Sequence, residues 1–450
     1  MAGFLQTLRS GDWLTLERMR LWALAVLVAA ASGLVYLAAT SDGLIDYQGR
    51  PLGTDFSNVY AAGTYVLDGQ PAAAFDPRLQ HAREQSIFGA STPFYGWHYP
   101  PFFLGVAAAL ALLPYQLALI VWQGVTLFLY LLAVRAIVTL GALPSPLWGG
   151  SARSAGVGVG VVARDPSDRT TPTPHPSPQG GGELPSVWLL LALAFPAVFV
   201  NIGHGHNGFL TAALIGFALV QLDRRPVLAG ILFGLLAYKP QFGLMIPLVL
   251  VATGRWRAVF AAAATVALLV LAATLAFGID TWRAFFTFAE YTRTIVLETG
   301  ETGWHKIQSV FSWARMWGAS VPLAYTVQGA VTLAIGAALI WLWRSPASFA
   351  LKAATLCLAA ILATPYSLDY DLMVLAPAIA FLTVAGLARG FAPYEKTALA
   401  FLWIAPLIAR GFAEVTLIPL GVIAMLVMLA LVLHKAKGNP APAPVPVAAQ

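Results

Sequence analysis

Residues 115–140 read YQLALIVWQGVTLFLYLLAVRAIVTL, an apolar run whose single charged residue is Arg135. A helix needs about 20 apolar residues to cross the ~30 Å hydrocarbon core of a bilayer, so this run is long enough to cross. Period-2 alternation, which a membrane strand would need, is not visible. Together with the other apolar runs, it predicts an all-α polytopic membrane protein of about 10–12 transmembrane helices. The comparable runs are Leu21–Ala39, Ala258–Phe277, Val321–Trp343 and Val415–Leu433.

The composition excludes a soluble globular protein. Hydrophobic residues make up 59% of the chain and charged residues only 10%, with a mean hydropathy of +0.74, whereas soluble domains carry about 25% charged residues. The one cysteine, Cys357, lies within an apolar segment. A disulfide framework and a cysteine metal site are therefore both excluded.

Most basic residues fall on one side of the predicted spans if the N terminus is cytoplasmic, and this asymmetry sets the orientation of the spans. Short cytoplasmic loops retain Lys and Arg, so we expect cytoplasmic N and C termini. The net charge of +6 then reflects membrane topology, and because no basic stripe interleaved with aromatics is visible, we expect no nucleic-acid partner. The cytoplasmic basic groups are Arg9, Arg18 and Arg20, Arg224/Arg225, Arg255/Arg257, Arg344, Arg389/Lys396 and Lys435/Lys437.

Composition shifts divide the chain into parts. Residues 144–185 are rich in Gly, Pro, Ser and Thr and cannot bury enough apolar surface to fold, so we expect a disordered cytoplasmic insertion. The short apolar piece Phe102–Leu113 is too brief to cross and should lie at the outer interface. The predicted parts are 1–143, with the first span, the outer loop Ser41–Pro101 and the second span; the insertion 144–185; 186–434, with the remaining helices and the outer loop 279–320; and the disordered tail 435–450.

Val227–Ala252 is apolar but interrupted by the residues YKPQ at 238–241, with basic pairs at both ends. Positive charge on both sides predicts a hairpin of two half-length helices with Lys239 near its tip. Pro240 breaks the helix there and frees backbone groups, which is tolerated only where protein or a watery cavity satisfies them.

Several ionisable residues lie where a membrane should reject them. A charged side chain at helix depth costs roughly 2.5–3.5 kcal/mol on insertion scales, so such residues usually line a site. In the predicted topology these residues converge on the outer side. A helical bundle with a purely structural role would not need such a cluster. They are Asp55, His204, His206, Lys239, Asp369 and Asp371.

Asp55 lies in the stretch GTDFSNVY at 53–60, which begins a predicted helix beyond the first span. One interpretation is an acidic residue favoured by the helix dipole, with Thr54 as the N-cap. The other is a carboxylate at the membrane surface that accepts a proton from a hydroxyl group, as general base catalysis requires.

Six motifs in order resemble glycosyltransferase family 87, also catalogued as domain of unknown function 2029, whose best-known members are polyprenyl-phosphate-mannose-dependent mannosyltransferases. The resemblance covers nearly the whole chain apart from the insertion and the tail. The motifs are GTDFSNVY at 53–60, FDP at 75–77, HYPPF at 98–102, GHGHNG at 203–208, LDRRPVLAGILFGLLAYKPQ at 222–241 and GRWR at 254–257.

The resemblance implies a GT-C fold in the bacterial inner membrane and a polyprenyl-phosphate-sugar donor used on the periplasmic side. Its partners would be that donor, a lipid or glycan acceptor and membrane lipids, with no cofactor. Asp55 matches the position of the family's catalytic aspartate in the first outer loop. In-line attack would invert the anomeric centre, so that a β-linked donor gives an α-glycoside.

Several further residues are candidates for substrate contacts. Lys239 would stabilise the departing phosphate, unless it is a lysine that snorkels to an interface. The residues of the turn GHGHNG, His204, His206 and Asn207, would hydrogen-bond sugar or phosphate, whereas a metal site is not expected because no carboxylate lies nearby in sequence. His98 and Tyr99, in the aromatic turn WHYPPF, would contact substrate unless they belong to an interfacial aromatic belt.

The second outer loop adds two candidates. His305 would relay a proton from Asp55 or contact phosphate, unless it is a surface histidine. Arg315 would pair with phosphate or with a neighbouring glutamate. Asp369 and Asp371 flank Tyr370 at a helix start, where capping explains them.

Two other classes of protein remain open from the sequence. Broken helices with ionisable residues at depth are typical of transporters, so a transporter or lipid flippase of the cell envelope is the alternative function. Against it, no second broken segment is visible in a matching position. A membrane scaffold is the third possibility, and it predicts that replacing Asp55 has no effect.

Overall fold

The computed structural model describes residues 2–140 and 184–438. Nearly all of the predicted insertion 144–185 and most of the tail 435–450 lie outside the described residues. In the described part the chain is nearly all helical, with isolated β-bridges in place of strands. The α-helices are α1 Ala2–Ser10, α2 Leu16–Ala39, α3 Thr54–Leu67, α4 Pro77–Phe88, α5 Leu104–Ala111, α6 Tyr115–Leu140, α7 Leu184–Leu193, α8 Pro196–His204, α9 Gly208–Gln221, α10 Pro226–Leu235, α11 Met245–Ala252, α12 Trp256–Phe277, α13 Ile279–Tyr291, α14 Val310–Met316, α15 Val321–Arg344, α16 Phe349–Leu362, α17 Leu375–Arg389, α18 Glu395–Thr416 and α19 Leu420–Gly438.

The prediction of an all-α polytopic membrane protein is confirmed. Seven described helices are long and apolar enough to cross a bilayer, and α7 with α8 makes an eighth if this bent pair counts as one span. The predicted range of about 10–12 is reached only when shorter apolar helices, such as the 14-residue α9 and α16, are included. The 42° bend between α7 and α8 is a second broken segment that the sequence analysis did not anticipate, and Pro196 follows the break directly.

One end of the helix bundle gathers several of the basic residues that the sequence places in the cytoplasm. The backbone amide of Tyr394 donates to the Arg9 carbonyl oxygen at 2.8 Å, and Lys435 pairs with Glu395 at 2.7 Å. Lys437 lies over the Trp341 ring, one turn before Arg344. These contacts place the N-terminal helix, the start of α18 and the ends of α15 and α19 together; we call this the basic end.

The opposite end gathers the outer loops. The Trp317 indole donates to the Leu417 carbonyl oxygen at 3.0 Å, and a β-bridge joins Ile307 to Leu368. Leu417, at a φ of +60°, ends α18, so the apolar run Val415–Leu433 is not a single helix, as the sequence suggested. The chain instead turns before α19. We call this the loop end.

The predicted hairpin is present, with α10 and α11 as its two arms. Helices α10 and α12 pack closely and run in the same direction. A Cβ atom at Gly230 would lie 2.7 Å from Ala261 Cβ, and four residues further along both helices one at Gly234 would lie 2.6 Å from Thr265 Cβ. Asp223 and Arg255, which flank the hairpin, form an ion pair at 2.5 Å. Arg344, at the end of α15, donates to the Ala252 carbonyl oxygen at 2.9 Å, so both ends of the segment lie at the basic end. Lys239 lies at the tip, between two 3-10 turns.

The long outer loop after α2 is folded against the bundle at the loop end. Its helix α3 packs along α5, where Gly63 allows close approach to Ala107. The Tyr60 hydroxyl donates to the Leu113 carbonyl oxygen at 2.9 Å, and the Tyr115 hydroxyl donates to the Leu52 carbonyl oxygen at 2.5 Å. These bonds fix the start of α3 beside α6, which positions Asp55.

Candidate active site

Two glycines bring the first outer loop against the turn after α8. Gly53 has a φ of +66° and Gly205 a φ of +61°, a left-handed conformation that glycine adopts without steric cost. A Cβ atom at Gly205 would lie 2.6 Å from Phe56 Cβ and 3.2 Å from Gly53 Cα. Only glycine allows this approach, which holds the N-terminus of α3 next to the residues GHGHNG.

Thr54 does not cap α3, contrary to the local interpretation. Gly53 occupies the N-cap position without a side-chain bond, and Thr54 is the first helical residue. Thr54 Oγ1 instead lies 2.8 Å from His204 Nδ1. A partner 150 residues away thus replaces the local cap and ties α3 to the end of α8.

Asp55, the next residue, is partly exposed and lies at the loop end. Within ranges 2–140 and 184–438, its carboxylate forms no hydrogen bond or ion pair. Burial raises the pKa of Asp55, and His204 opposes that change. Asp369 raises the pKa further, while Lys239 and Lys306 lower it. A carboxylate without a partner, with a raised pKa and with cations nearby, has the properties of a general base.

His206 is buried among aromatic side chains. Its Nε2 lies 3.1 Å from the Tyr99 hydroxyl, and its ring stacks on Tyr370 at a centroid distance of 3.5 Å. The Gln123 amide donates to the His206 carbonyl oxygen at 3.0 Å. The structure therefore brings His206 and Tyr99 into contact and adds Tyr370, which sequence reasoning did not identify as a site residue.

Two buried polar atoms in this turn have no hydrogen-bond partner among the described residues, namely His206 Nδ1 and Asn207 Oδ1. Most buried polar atoms in proteins are hydrogen-bonded to protein or to ordered water. These atoms are consequently available to a hydroxyl group or a water molecule.

Lys239 reaches from the hairpin tip to Asp371. Lys239 Nζ lies 2.5 Å from Asp371 Oδ1, and both side chains are buried. Asp371 Oδ2 accepts a hydrogen bond from the Leu368 amide at 2.9 Å, so the carboxylate caps the turn before α17 and binds the lysine at once. Capping, which the sequence suggested, is only half of its role.

The ammonium group of Lys239 also faces two rings. Its Nζ lies 5.3 Å from the Tyr370 ring centroid and 5.6 Å from that of Phe242. These distances permit cation–π attraction, so Lys239 is neither a snorkelling lysine nor a free cation.

A second group of charges lies at the same end, around Asp369. Arg410 of α18 approaches Asp369 with 3.5 Å between Nη1 and Oδ2. His305 and Lys306, on the turn before the bridge of Ile307 with Leu368, both lie near enough for Asp369 to raise their pKa, although burial, the largest cause, lowers it. Arg410 interrupts an apolar helix, a signal of a functional residue that the sequence analysis did not use.

Two predicted site residues have partners outside this group. His98 Nδ1 lies 2.9 Å from Thr292 Oγ1, and burial lowers the pKa of His98 to about 4, so the ring is neutral at pH 7. Arg315 donates to the carbonyl oxygens of Ala319 and Glu298 at 2.5 and 3.0 Å. The His98 contact joins the first outer loop to the second, and the Arg315 bonds tie parts of the second outer loop together.

No three His, Cys, Asp or Glu side chains in the described parts of the chain are arranged to hold a metal ion. His204 and His206 point to different partners, Thr54 and Tyr99. The structure adds no support for a metal site in this turn.

The sequence model of glycosyltransferase family 87 matches residues 97–365. That region includes the turn with His206 and the hairpin with Lys239, and it excludes Asp55 and Asp371. No curated protein and no solved structure is significantly similar to the chain. Since the matched region is more than half of the 450 residues, this multi-pass membrane protein belongs to glycosyltransferase family 87.

Proposed function

We propose that the protein is an inverting hexosyltransferase that moves a sugar, mannose in the simplest case, from a polyprenyl-phosphate donor to a lipid or glycan acceptor. The observation that carries the proposal is the Asp55 carboxylate at the loop end. It is partly exposed, forms no ion pair among the described residues, and lies within the influence of Lys239, Lys306 and His204. Family membership supplies the reaction class, and Asp55 supplies a base for it.

The difference in Lys and Arg content between the two ends of the bundle supports a periplasmic reaction in a bacterial inner membrane. The basic end carries the clustered Lys and Arg side chains that cytoplasmic loops retain. With that end in the cytoplasm, both termini are cytoplasmic, and the loop end with Asp55 faces the periplasm. A donor with a long polyprenyl chain would remain in the bilayer while its sugar reaches the loop end.

The chemistry proceeds in one displacement. The acceptor hydroxyl oxygen attacks the anomeric carbon, the bond from that carbon to the phosphate oxygen breaks, and its electron pair leaves with the phosphate. The proton of the hydroxyl group passes to Asp55. Because attack and departure occur on opposite faces, a β-linked donor gives an α-linked product.

The unpaired atoms beside Asp55 support sugar binding at the same place. His206 Nδ1 and Asn207 Oδ1 are available to hydroxyl groups, and Tyr99 and Tyr370 offer rings around them. His204 contacts both Thr54, the residue before the base, and the Tyr370 ring. A hexose has the hydroxyl groups that such partners require.

The hairpin also prompted the alternative of a transporter or flippase. The first arm leaves the basic end and the second arm returns to it, as in a re-entrant segment. The Lys239 side chain at the tip contacts Asp371. Membership in a glycosyltransferase family favours the enzyme, with the hairpin forming one wall of the site.

Sugar transfer by the purified protein in detergent tests the proposal. The donor is radiolabelled polyprenyl-phosphate-mannose, and the acceptor is a lipid extract of the host. Asp55→Asn should abolish transfer while leaving the folded protein intact. Asp42→Asn makes the same change at an exposed position of the same outer loop and should leave transfer unchanged. No transfer by the wild type with several polyprenyl-phosphate sugars, or equal transfer by Asp55→Asn, would refute the proposal.

A further inference from the structure

We propose that Lys306 and Arg410 bind the phosphate of the donor and that Lys239 does not, an inference that rests on the proposed use of a polyprenyl-phosphate sugar. Neither residue was identified from the sequence. Both lie at the loop end, on elements that are far apart in the chain and are joined through the start of the segment Asp369–Val374.

Lys239 is already neutralised. Its ammonium group lies 2.5 Å from Asp371, both side chains are almost fully buried, and two aromatic rings cover it. A phosphate would have to displace Asp371, which also accepts the Leu368 amide. A buried pair that loses one partner leaves an uncompensated charge, so this lysine is a poor ligand for an arriving phosphate.

Lys306 is held in position by backbone bonds, and its side chain is unengaged. The adjacent Ile307 forms a β-bridge with Leu368, and the Gln308 amide donates to the Ser367 carbonyl oxygen at 2.6 Å. Lys306 is partly exposed, and among the residues that the structure describes its ammonium group forms no hydrogen bond or ion pair. Lys306 thus offers three N–H donors on a side chain whose backbone is held in place.

Arg410 offers a second cation beside it. Its only hydrogen bond or ion pair within the described ranges is the long contact of 3.5 Å with Asp369, and 41% of its side chain is exposed. A guanidinium has five N–H donors in a planar fork that matches phosphate oxygens. Arg410 and Lys306 lie near enough for the arginine to lower the pKa of the lysine, so a bound anion would relieve their repulsion.

The relation of Lys306 to Asp55 suits an inverting displacement. The base and the departing phosphate lie on opposite sides of the anomeric carbon. The cationic side chain that binds the phosphate must therefore be close to the base without forming an ion pair with it. Lys306 lowers the pKa of Asp55 and forms no ion pair with it, whereas Lys239, which lowers that pKa more, is paired with Asp371. The departing phosphate gains negative charge, reaching about −1.5 to −2 for a monoester at pH 7, and fixed cations stabilise that gain.

Binding of radiolabelled polyprenyl monophosphate, the lipid product, tests the site without requiring sugar transfer. Lys306→Gln and Arg410→Gln should each weaken binding by about tenfold or more, as expected for one lost charge-assisted contact. Lys306→Arg keeps the charge and should retain binding. Arg293→Gln, which removes an exposed arginine of the same outer loop, is the matched control and should bind as the wild type does.

The double variant Lys239→Met/Asp371→Asn removes both buried charges and should still bind the lipid phosphate. Wild-type-like binding by both Lys306→Gln and Arg410→Gln, absence of binding by the wild type, or loss of binding confined to the double variant would each overturn the inference. If the wild type binds through Lys306 and Arg410 but transfers no sugar, the phosphate site stands and the proposed enzymatic function fails.

Discussion

Lys239 Nζ and Asp371 Oδ1 lie 2.5 Å apart, between the tip of the hairpin and the start of the segment that leads into α17. Their side chains are 4% and 2% exposed, so water does not weaken the attraction. The pair connects two segments that are 132 residues apart in sequence. Together with the hydrogen bond between the Tyr238 and Thr211 hydroxyl groups, it anchors the hairpin tip beside the candidate active site.

Breaking this pair on one side should destabilise the protein strongly. Lys239→Met leaves the Asp371 carboxylate buried without its partner, which costs about 3–5 kcal/mol. In Lys239→Met/Asp371→Asn no uncompensated charge remains, so most of the loss should be recovered. Denaturation in a mild detergent measures the stability lost in the single variant and the stability recovered in the double variant. Equal stability of the wild type and Lys239→Met would show that the pair does not support the fold.

The pH dependence of transfer should report the burial of Asp55. Only the ionised carboxylate accepts a proton, and burial raises its pKa. The acid limb of kcat/KM should therefore lie above about 3.9, the ordinary value for aspartate, with activity lost as pH falls through the raised pKa. Lys306→Gln removes a cation that lowers this pKa and should move the limb to higher pH. A limb at or below that of an exposed aspartate would contradict this reading of the site.

The helices and the hairpin could be predicted because their signals are local. Apolar runs mark the spans, and Pro240 with basic pairs on both sides marks the hairpin and places Lys239 at its tip. The 14-residue helix α16 shows the limit of length rules, since it connects the two ends of the bundle although it is short.

The contacts of the candidate site could not be predicted because their partners are distant in sequence. Local propensity makes Thr54 a cap, but His204 takes its hydroxyl group instead. Asp371 satisfies the local rule for a cap and also holds Lys239, which no local pattern reveals. The match of Asp55 to a family position remains a prediction, and the pairing of Gly53 with Gly205 that positions it emerged only from the packing.

Gly205→Ala should disturb both stability and transfer. The added Cβ would meet Phe56 Cβ at 2.6 Å, at a φ of +61°, and such overpacking costs about 1–3 kcal/mol. Because α3 must move to accommodate it, Asp55 should be displaced and transfer should fall. Gly203→Ala is the matched control, since a Cβ there has no neighbour within 4 Å and alanine favours a helix. If both variants transfer sugar equally well, close approach at Gly205 does not position the base.

Glu84 should make the stability of the first outer loop depend on pH. The side chain of Glu84 is fully buried, and its carboxylate accepts the Tyr95 amide at 3.1 Å. Burial raises its pKa from 4.5 to about 7. The folded state therefore binds the proton more tightly than the unfolded state does. Stability is greatest below the unfolded pKa and falls as pH rises through about 7.

Glu84→Gln removes this titration and keeps an acceptor for the Tyr95 amide. The difference in unfolding free energy between the variant and the wild type should therefore move in favour of the variant as pH rises from about 5 to about 8, by up to about 3 kcal/mol. Thermal unfolding in detergent across that range measures the difference, and Glu290→Gln, an exposed change in the second outer loop, serves as the control. A constant difference between Glu84→Gln and the wild type would mean that Glu84 stays ionised in the folded protein, with water reaching its carboxylate.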